Sequence, residues 1–204
     1  MSDVLFLSPG FMVPAGAYST LLRSIDATSA QVVVGSEGSV VRRATGKVTV
    51  DHDARRLVER ARTSTATRVW LAGHSRGGGV AWLAADRMVS EGMSIAGLVL
   101  LDPVWGDGGP RATPPPLPAA PRCPTLIVGF GIGGPCAPGG RTHDVFAAAA
   151  PDARHVVVAD CAHGDILDDR WARIAGVVCR RGPDRAAARS AVAVIVTDFI
   201  DDHG

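Results

Sequence analysis

Three things are scarce in this chain of 204 residues: imbalance of charge, paired cysteine motifs and long apolar runs. Its 21 basic and 20 acidic residues leave a formal charge of +1, and the arginines are scattered, so there is no electrostatic footprint for nucleic acid or a membrane surface. The four cysteines, Cys123, Cys136, Cys161 and Cys179, have no Cys-x-x-Cys spacing. Buried thiols are therefore expected, with no disulfide or zinc framework, no other metal and no cofactor. The opening "MSDVLFLSPG" has no basic leader, and its apolar run from Val4 to Leu7 is too short for a signal-peptide core or a spanning helix. The expectation is a cytoplasmic protein with no stable membrane insertion and a small, uncharged partner; oligomeric state is not readable.

What is present is a core-forming pattern. Hydrophobic residues make up 47% of the chain, enough to bury a core within one domain spanning 1–204, with no repeat and no boundary in view. Six apolar runs recur, "VLFLS" at 4–8, "QVVVG" at 31–35, "RVWLAG" at 68–73, "AGLVLLD" at 96–102, "PTLIVGFG" at 124–131 and "RHVVVAD" at 154–160. They are continuous rather than alternating, which predicts strands covered on both faces. Helices are predicted between and after them at 15–28, 51–64, 76–91, 142–150, 168–179 and 184–201. Strand and helix alternate, giving an α/β fold with a mainly parallel sheet of about six strands and helices on both faces. The stretch "GPRATPPPLPAAPRCP" from Gly109 to Pro124 reads as a stiff extended connector and a possible wall of a site, in place of a helical lid domain.

One junction carries chemistry. "VWLAGHSRGGGVAWLA", Val69 to Ala84, sets Ser75 between Gly73 and Gly77 where a strand meets a helix. Glycines this abundant would flank one of the 12 serines by chance in roughly one such chain in six, so GxSxG alone is weak. The strand-to-helix setting makes it a nucleophile elbow: the glycines permit a turn too tight for side chains and expose the serine Oγ. The amide of Arg76 then points at any oxyanion formed there, and the loop "SPGFMVPAG" offers a second donor, the amide of Phe11 or less favourably Met12.

A serine hydroxyl needs a base, and the base needs an orienting acid. Of six histidines, His74 should point away as a structural residue, His52 and His203 read as solvated, His143 caps a helix and His155 opens a strand. His163, in "CAHGDILDD" just past the last strand, sits where α/β sites assemble. The loop after "PTLIVGFG" has no carboxylate before Asp144, whereas Asp102 ends the strand before it; Asp160 and Asp165 are too close in sequence to His163 to reach its far nitrogen. Ser75, Asp102 and His163 keep the chain order serine, acid, histidine. The alternative for Asp102 is a turn cap before Pro103.

The residues resemble the chlorophyllase family of α/β-hydrolases. Its lipase-like motif "GHSRGG" is Gly73 to Gly78, followed in order by "LDPV" at 101–104, "TPPP" at 113–116, "PCAP" at 135–138 with "THDVF" after it, "AHGDILDD" at 162–169 and "CRRGPDRAAAR" at 179–189. The resemblance spans nearly the whole chain and implies a minimal α/β-hydrolase fold and a serine esterase whose aspartate lies in the DPV segment, on Asp102.

The expected chemistry is acyl transfer through Ser75 to water. An apolar substrate pocket is expected from Met12, Trp105, Phe130, Ile132, Ile166 and Leu167 beside Phe11, favouring a small-molecule ester with a long or bulky apolar group. Alternatives are transfer to another acceptor, as in a thioesterase or cyclase of secondary metabolism, and a non-catalytic ligand-binding homologue.

Overall fold

A computed structural model describes residues 3–25, 29–33, 49–106, 115–138 and 140–204. Strands β1 (Asp3–Ser8), β2 (Ser29–Val33), β3 (Arg68–His74), β4 (Gly97–Leu101), β5 (Thr125–Ile132) and β6 (Arg154–Ala162) form one sheet in the order β2-β1-β3-β4-β5-β6. Every neighbouring pair is parallel. The helices are α1 (Ser19–Ser24), α2 (Val50–Arg62), α3 (Arg76–Ser90), α4 (His143–Ala149), α5 (Asp169–Val178) and α6 (Arg185–Asp202).

The continuous apolar runs are explained by burial on two sides. Successive strand residues point to opposite faces. Leu5, Leu7, Val99, Leu126 and Val128 therefore enter one core layer with Tyr18, Val192, Val196 and Phe199. Val4, Phe6, Leu98, Leu100 and Ile127 enter another with Leu57, Val80, Trp82 and Phe146. The caps follow the sequence signals: Thr49 accepts from the His52 amide, and Asp184 from those of Ala186 and Ala187.

Three expectations change. The helix predicted over 15–28 is a short 3-10 turn at Ala15–Tyr18 running into the six-residue α1, and Ile25 is already extended. β6 is an edge strand, largely exposed until Cys161, with Val157 open to solvent. Its valines gave no hint of this, because composition cannot tell an edge from a centre. Cys136 and Cys179 are joined in a disulfide with Cα atoms 5.4 Å apart, while Cys123 and Cys161 are free. The two bridged residues are 43 apart in sequence, and Arg180, just after α5, packs against Gly134 in the loop after β5. Burial raises the pKa of both free thiols.

The described part of the proline segment, residues 115–124, carries no helix. It is fastened to α3 and to the segment after β4 by indoles, since Trp105 Nε1 donates to the Pro115 carbonyl and Trp82 Nε1 to that of Pro118. Residues 107–114, including most of "GPRATPPP", lie outside the described residues. Among the described residues no helix is long and apolar enough to cross a membrane.

Candidate active site

The site grows from the turn after β3. Ser75 has φ 56° and ψ −130°, a conformation that L-residues rarely adopt. Its glycine neighbours are required by contact rather than by dihedral freedom. A Cβ on Gly73 would lie 2.0 Å from the Gly77 carbonyl oxygen, and one on Gly77 would lie 2.1 Å from that of Ser8. Strand, helix and first loop thus meet at backbone distance, which forces the serine outward. The Ser75 carbonyl accepts from the amides of Gly78 and Val104, tying the elbow to the segment after β4.

Asp102 follows β4, whose Leu101 is paired with His74 on β3 and Val128 on β5. That register puts the carboxylate between elbow and β5. Its Oδ1 accepts from the Phe130 amide at 3.2 Å and its Oδ2 lies 2.6 Å from His163 Nδ1. His163 Nε2 lies 2.8 Å from Ser75 Oγ. With Asp102 ionised, Nδ1 carries the proton, so Nε2 is the acceptor for the serine hydroxyl. All three residues are buried, at 8%, 3% and 7% exposure for Ser75, Asp102 and His163. The structure therefore brings the three sequence-predicted residues together in hydrogen-bonded order.

The first loop lies over the serine. A Cβ on Gly10 would stand 3.2 Å from Ser75 Cβ; Phe11 follows half-buried, and Met12 is exposed with φ 58°. Arg76 is the first residue of α3, where amides point outward along the helix axis. Its side chain turns away from the serine and pairs with Asp53 of α2 at 2.7 Å, both almost fully buried.

Three residues that were not assigned to the site by sequence hold it in shape. His74 does not simply point away. Its Nε2 lies 2.9 Å from the carbonyl of His163 and its Nδ1 lies 2.8 Å from Tyr18 Oη, which accepts from the Gly10 amide. A carbonyl only accepts, so Nε2 carries the proton and Nδ1 receives the Tyr18 hydroxyl proton. Desolvation, with a contribution from the adjacent His163, keeps the His74 pKa well below the usual histidine value, which matches this neutral form. Asp165, weighed and set aside as the acid, closes the His163 turn instead: its Oδ2 accepts from the amides of Ala162 and Gly182, each at 2.8 Å.

The expected apolar pocket is only partly realised. Trp105, Ile166 and Leu167 are core residues. Trp105 folds back so that its ring stands 3.0 Å from where a Gly79 Cβ would be, and Ile166 and Leu167 tuck beneath the His163 turn against the layer containing Tyr18. Ile132 is half-buried, and Phe130, largely buried, lines a cleft of about 330 Å³ with Asp102, Gly131, Gly133, Gly134, Ala137, Thr142, His143 and Asp144. Glycines and polar groups dominate that lining.

A strand-to-helix turn bearing a serine at positive φ, on a parallel sheet that presents an aspartate and a histidine from later strand ends, defines the α/β-hydrolase class. Within it the chain belongs to the chlorophyllase family, whose model matches residues 3–203. It is similar to Chlorophyllase-2 of Arabidopsis thaliana, 33% identical over 160 residues covering 68% of this chain and 50% of that protein. The chain thus spans about half the length of the curated relative it matches. Among solved structures it is similar to one described as a hydrolase of the α/β superfamily from Xanthomonas campestris pv. campestris, with 25% identity, a TM-score of 0.59 and coverage of 96% of this chain and 98% of that chain. It is also similar to BorB, the type II thioesterase of the borrelidin biosynthetic cluster, with 16% identity, a TM-score of 0.63 and coverage of 98% and 93%. At that identity the second likeness shows the fold.

Proposed function

We propose that this protein is a serine carboxylic-ester hydrolase that works through an acyl-enzyme on Ser75. The observation that carries the reading is the buried chain from Ser75 Oγ through both nitrogens of His163 to Asp102, at 2.8 and 2.6 Å. His163 takes the hydroxyl proton as Oγ attacks the ester carbonyl. The amides of Phe11 and Arg76 receive the oxyanion, and His163 passes the proton to the leaving alcohol. Water, activated by the same histidine, then attacks the acyl-enzyme and releases the acid. Asp102 fixes the tautomer and stabilises the imidazolium.

For the substrate we propose a small-molecule ester with a bulky or long apolar part. Exposed Met12 and half-buried Phe11 beside the serine support it, as does membership of a family named for action on chlorophyll. The polar cleft beside Asp102 fits the other half of such an ester. The cytoplasmic placement expected from the sequence meets an opposing observation in the Cys136–Cys179 bridge, since such bonds persist in oxidising surroundings. Alkylating thiols during cell lysis decides it: four modified cysteines support a reducing compartment, two support an oxidising one.

The function is tested by labelling with a fluorophosphonate and by hydrolysis of aryl esters of graded chain length. Stoichiometric labelling, lost in Ser75→Ala and kept in Ser90→Ala, with turnover rising beyond acetyl, is the expected result. Labelling that survives Ser75→Ala removes the nucleophile assignment, and activity confined to acetyl esters removes the apolar substrate. Supplying the same acyl group as a thioester, with and without an added amine or alcohol, separates hydrolysis from acyl transfer to another acceptor.

A further inference from the structure

Away from the serine, the other rim of the cleft holds a group of side chains that the esterase chemistry does not use. His143 opens α4 and lies across β5 at Gly129, where an added Cβ would stand 2.6 Å from its ring atoms Cγ and Nδ1. The missing side chain of Gly129 is therefore the space the imidazole occupies. His155 lies on the neighbouring strand β6, paired with Ile127 two residues before Gly129, and so faces the same side of the sheet. The result is close convergence. His143 Nδ1 is 3.0 Å from His155 Nε2 and 3.2 Å from Asp144 Oδ1, and one ligand atom from each of the three residues lies within 4.8 Å of the others.

We propose that His143, Asp144 and His155 form a binding site for one divalent transition-metal ion of the zinc type, at the rim of the cleft that Asp102 also lines. Ligand atoms at about 2.0–2.2 Å in a tetrahedral zinc site are separated by roughly 3.3–3.5 Å, so two of the three separations are already within a few tenths of an ångström of that value. Two imidazoles and a carboxylate are a donor set that zinc, nickel and copper accept, and one that magnesium and calcium, which prefer oxygen, do not. Asp144 and His155 are exposed, so an ion reaches the site from solvent and keeps a position open for water or for an oxygen of a molecule in the cleft. His143 and Asp144 belong to the cleft lining, which places that open position on the cleft that Asp102 also lines.

The rival account is a plain N–H···N bond between two imidazoles with a carboxylate nearby. Calorimetric titration of the chelator-treated full chain with zinc chloride distinguishes the two, carried out on the Ser75→Ala background so that the outcome is independent of the esterase reading. One saturable site is expected. His155→Ala, His155→Gln and Asp144→Asn should each weaken it by at least about tenfold, since even partners behind a metal ligand are worth about 10–100-fold. His52→Ala, an exposed histidine elsewhere, should leave it unchanged. Cobalt(II) substitution gives a second reading: the intense visible bands of a tetrahedral site should appear in the parent and fade in His155→Gln, with circular dichroism confirming the fold of each variant. Absence of saturable binding below about 1 mM zinc, only millimolar-strength affinity, overturns the proposal. So does binding that is the same in the His155 and Asp144 variants as in the parent, which would move the ion to another place such as a free thiol.

Discussion

The Nε2 of His74 donates to the carbonyl oxygen of His163 at 2.9 Å, so the residue before the serine carries the backbone of the residue that serves it. The same imidazole is reached on its other side by Tyr18, whose hydroxyl takes the Gly10 amide. One buried chain of hydrogen bonds thereby links the loop over the serine to the turn bearing the histidine. Such a chain works only with a neutral His74, because a second ring proton would meet the Tyr18 hydroxyl proton.

This has a pH signature. The folded pKa of His74 lies below the usual value of 6.5, so the unfolded state binds the proton more readily. The resulting stability is present in full above about 6.5 and declines as pH falls, at no more than about 1.4 kcal/mol per pH unit for one group. Urea unfolding of the wild type and His74→Gln between pH 7 and 5 should show a shallower loss in the variant. Parallel curves would mean that His74 does not hold this neutral role.

Asp102→Asn should leave the fold intact and reduce kcat by about ten-thousandfold. The Asn carbonyl can still accept from the Phe130 amide, but its NH2 then faces His163 Nδ1 and drives the ring proton to Nε2. The serine loses its acceptor. Ser75→Ala should cost at least as much, and combining the two should cost little more than the larger single loss, because the residues act as one unit. Steady-state rates with the best aryl ester check this, and additive losses would speak against a shared step.

Much of this was legible in the chain, and the limits have physical causes. The six strands and the α3 elbow could be read because buried parallel strands need continuous apolar runs and because GxSxG sat where those runs change to helical spacing. Asp102 was chosen as the candidate acid by position, since it ends the strand that must neighbour the elbow, and its Oδ2 lies 2.6 Å from His163 Nδ1. The edge character of β6 could not be read, as "RHVVVAD" looks like any central strand. Nor could the direction of loop side chains: Trp105, Ile166 and Leu167 are apolar residues at strand ends, and apolar residues there line a pocket or fill the core equally well. The Tyr18–His74–His163 chain and the Cys136–Cys179 bridge join residues far apart in sequence with no spacing rule between them. A histidine immediately before Ser75 in a strand buried on both faces was the one available hint of a buried polar partner.

The disulfide links the loop after β5, which lines the cleft, to the end of α5, which packs behind the His163 turn. Closing a loop of 43 residues restricts the unfolded chain by about 4 kcal/mol in the entropic account, with measured values commonly about 2–4. Cys136→Ser with Cys179→Ser should lower unfolding stability within that range, and dithiothreitol should reproduce the effect in the wild type but not in the double variant. A midpoint insensitive to both would show the bridge to be energetically silent.

Arg76 and Asp53 form an ion pair at the base of the elbow, with 4% and 7% of their side chains exposed. Burial makes the pair unequal to its parts: a buried pair adds modestly to stability, whereas removing one member leaves the other charge desolvated without its partner, a loss of about 3–5 kcal/mol. Asp53→Ala should therefore destabilise strongly. Asp53→Ala combined with Arg76→Met should recover much of the difference, because the remaining charge is gone and the methionine refills part of the volume. The recovery distinguishes a charge effect from a cavity effect, since Asp53→Ala leaves the same space in both backgrounds. The Arg76 amide that we assign to the oxyanion belongs to the backbone and survives the substitution. Esterase activity per folded molecule should then be largely kept in the double variant, while denaturant midpoints report the stability change. A double variant no more stable than Asp53→Ala alone would place the cost in packing rather than in the loss of the Asp53 carboxylate beside the Arg76 guanidinium.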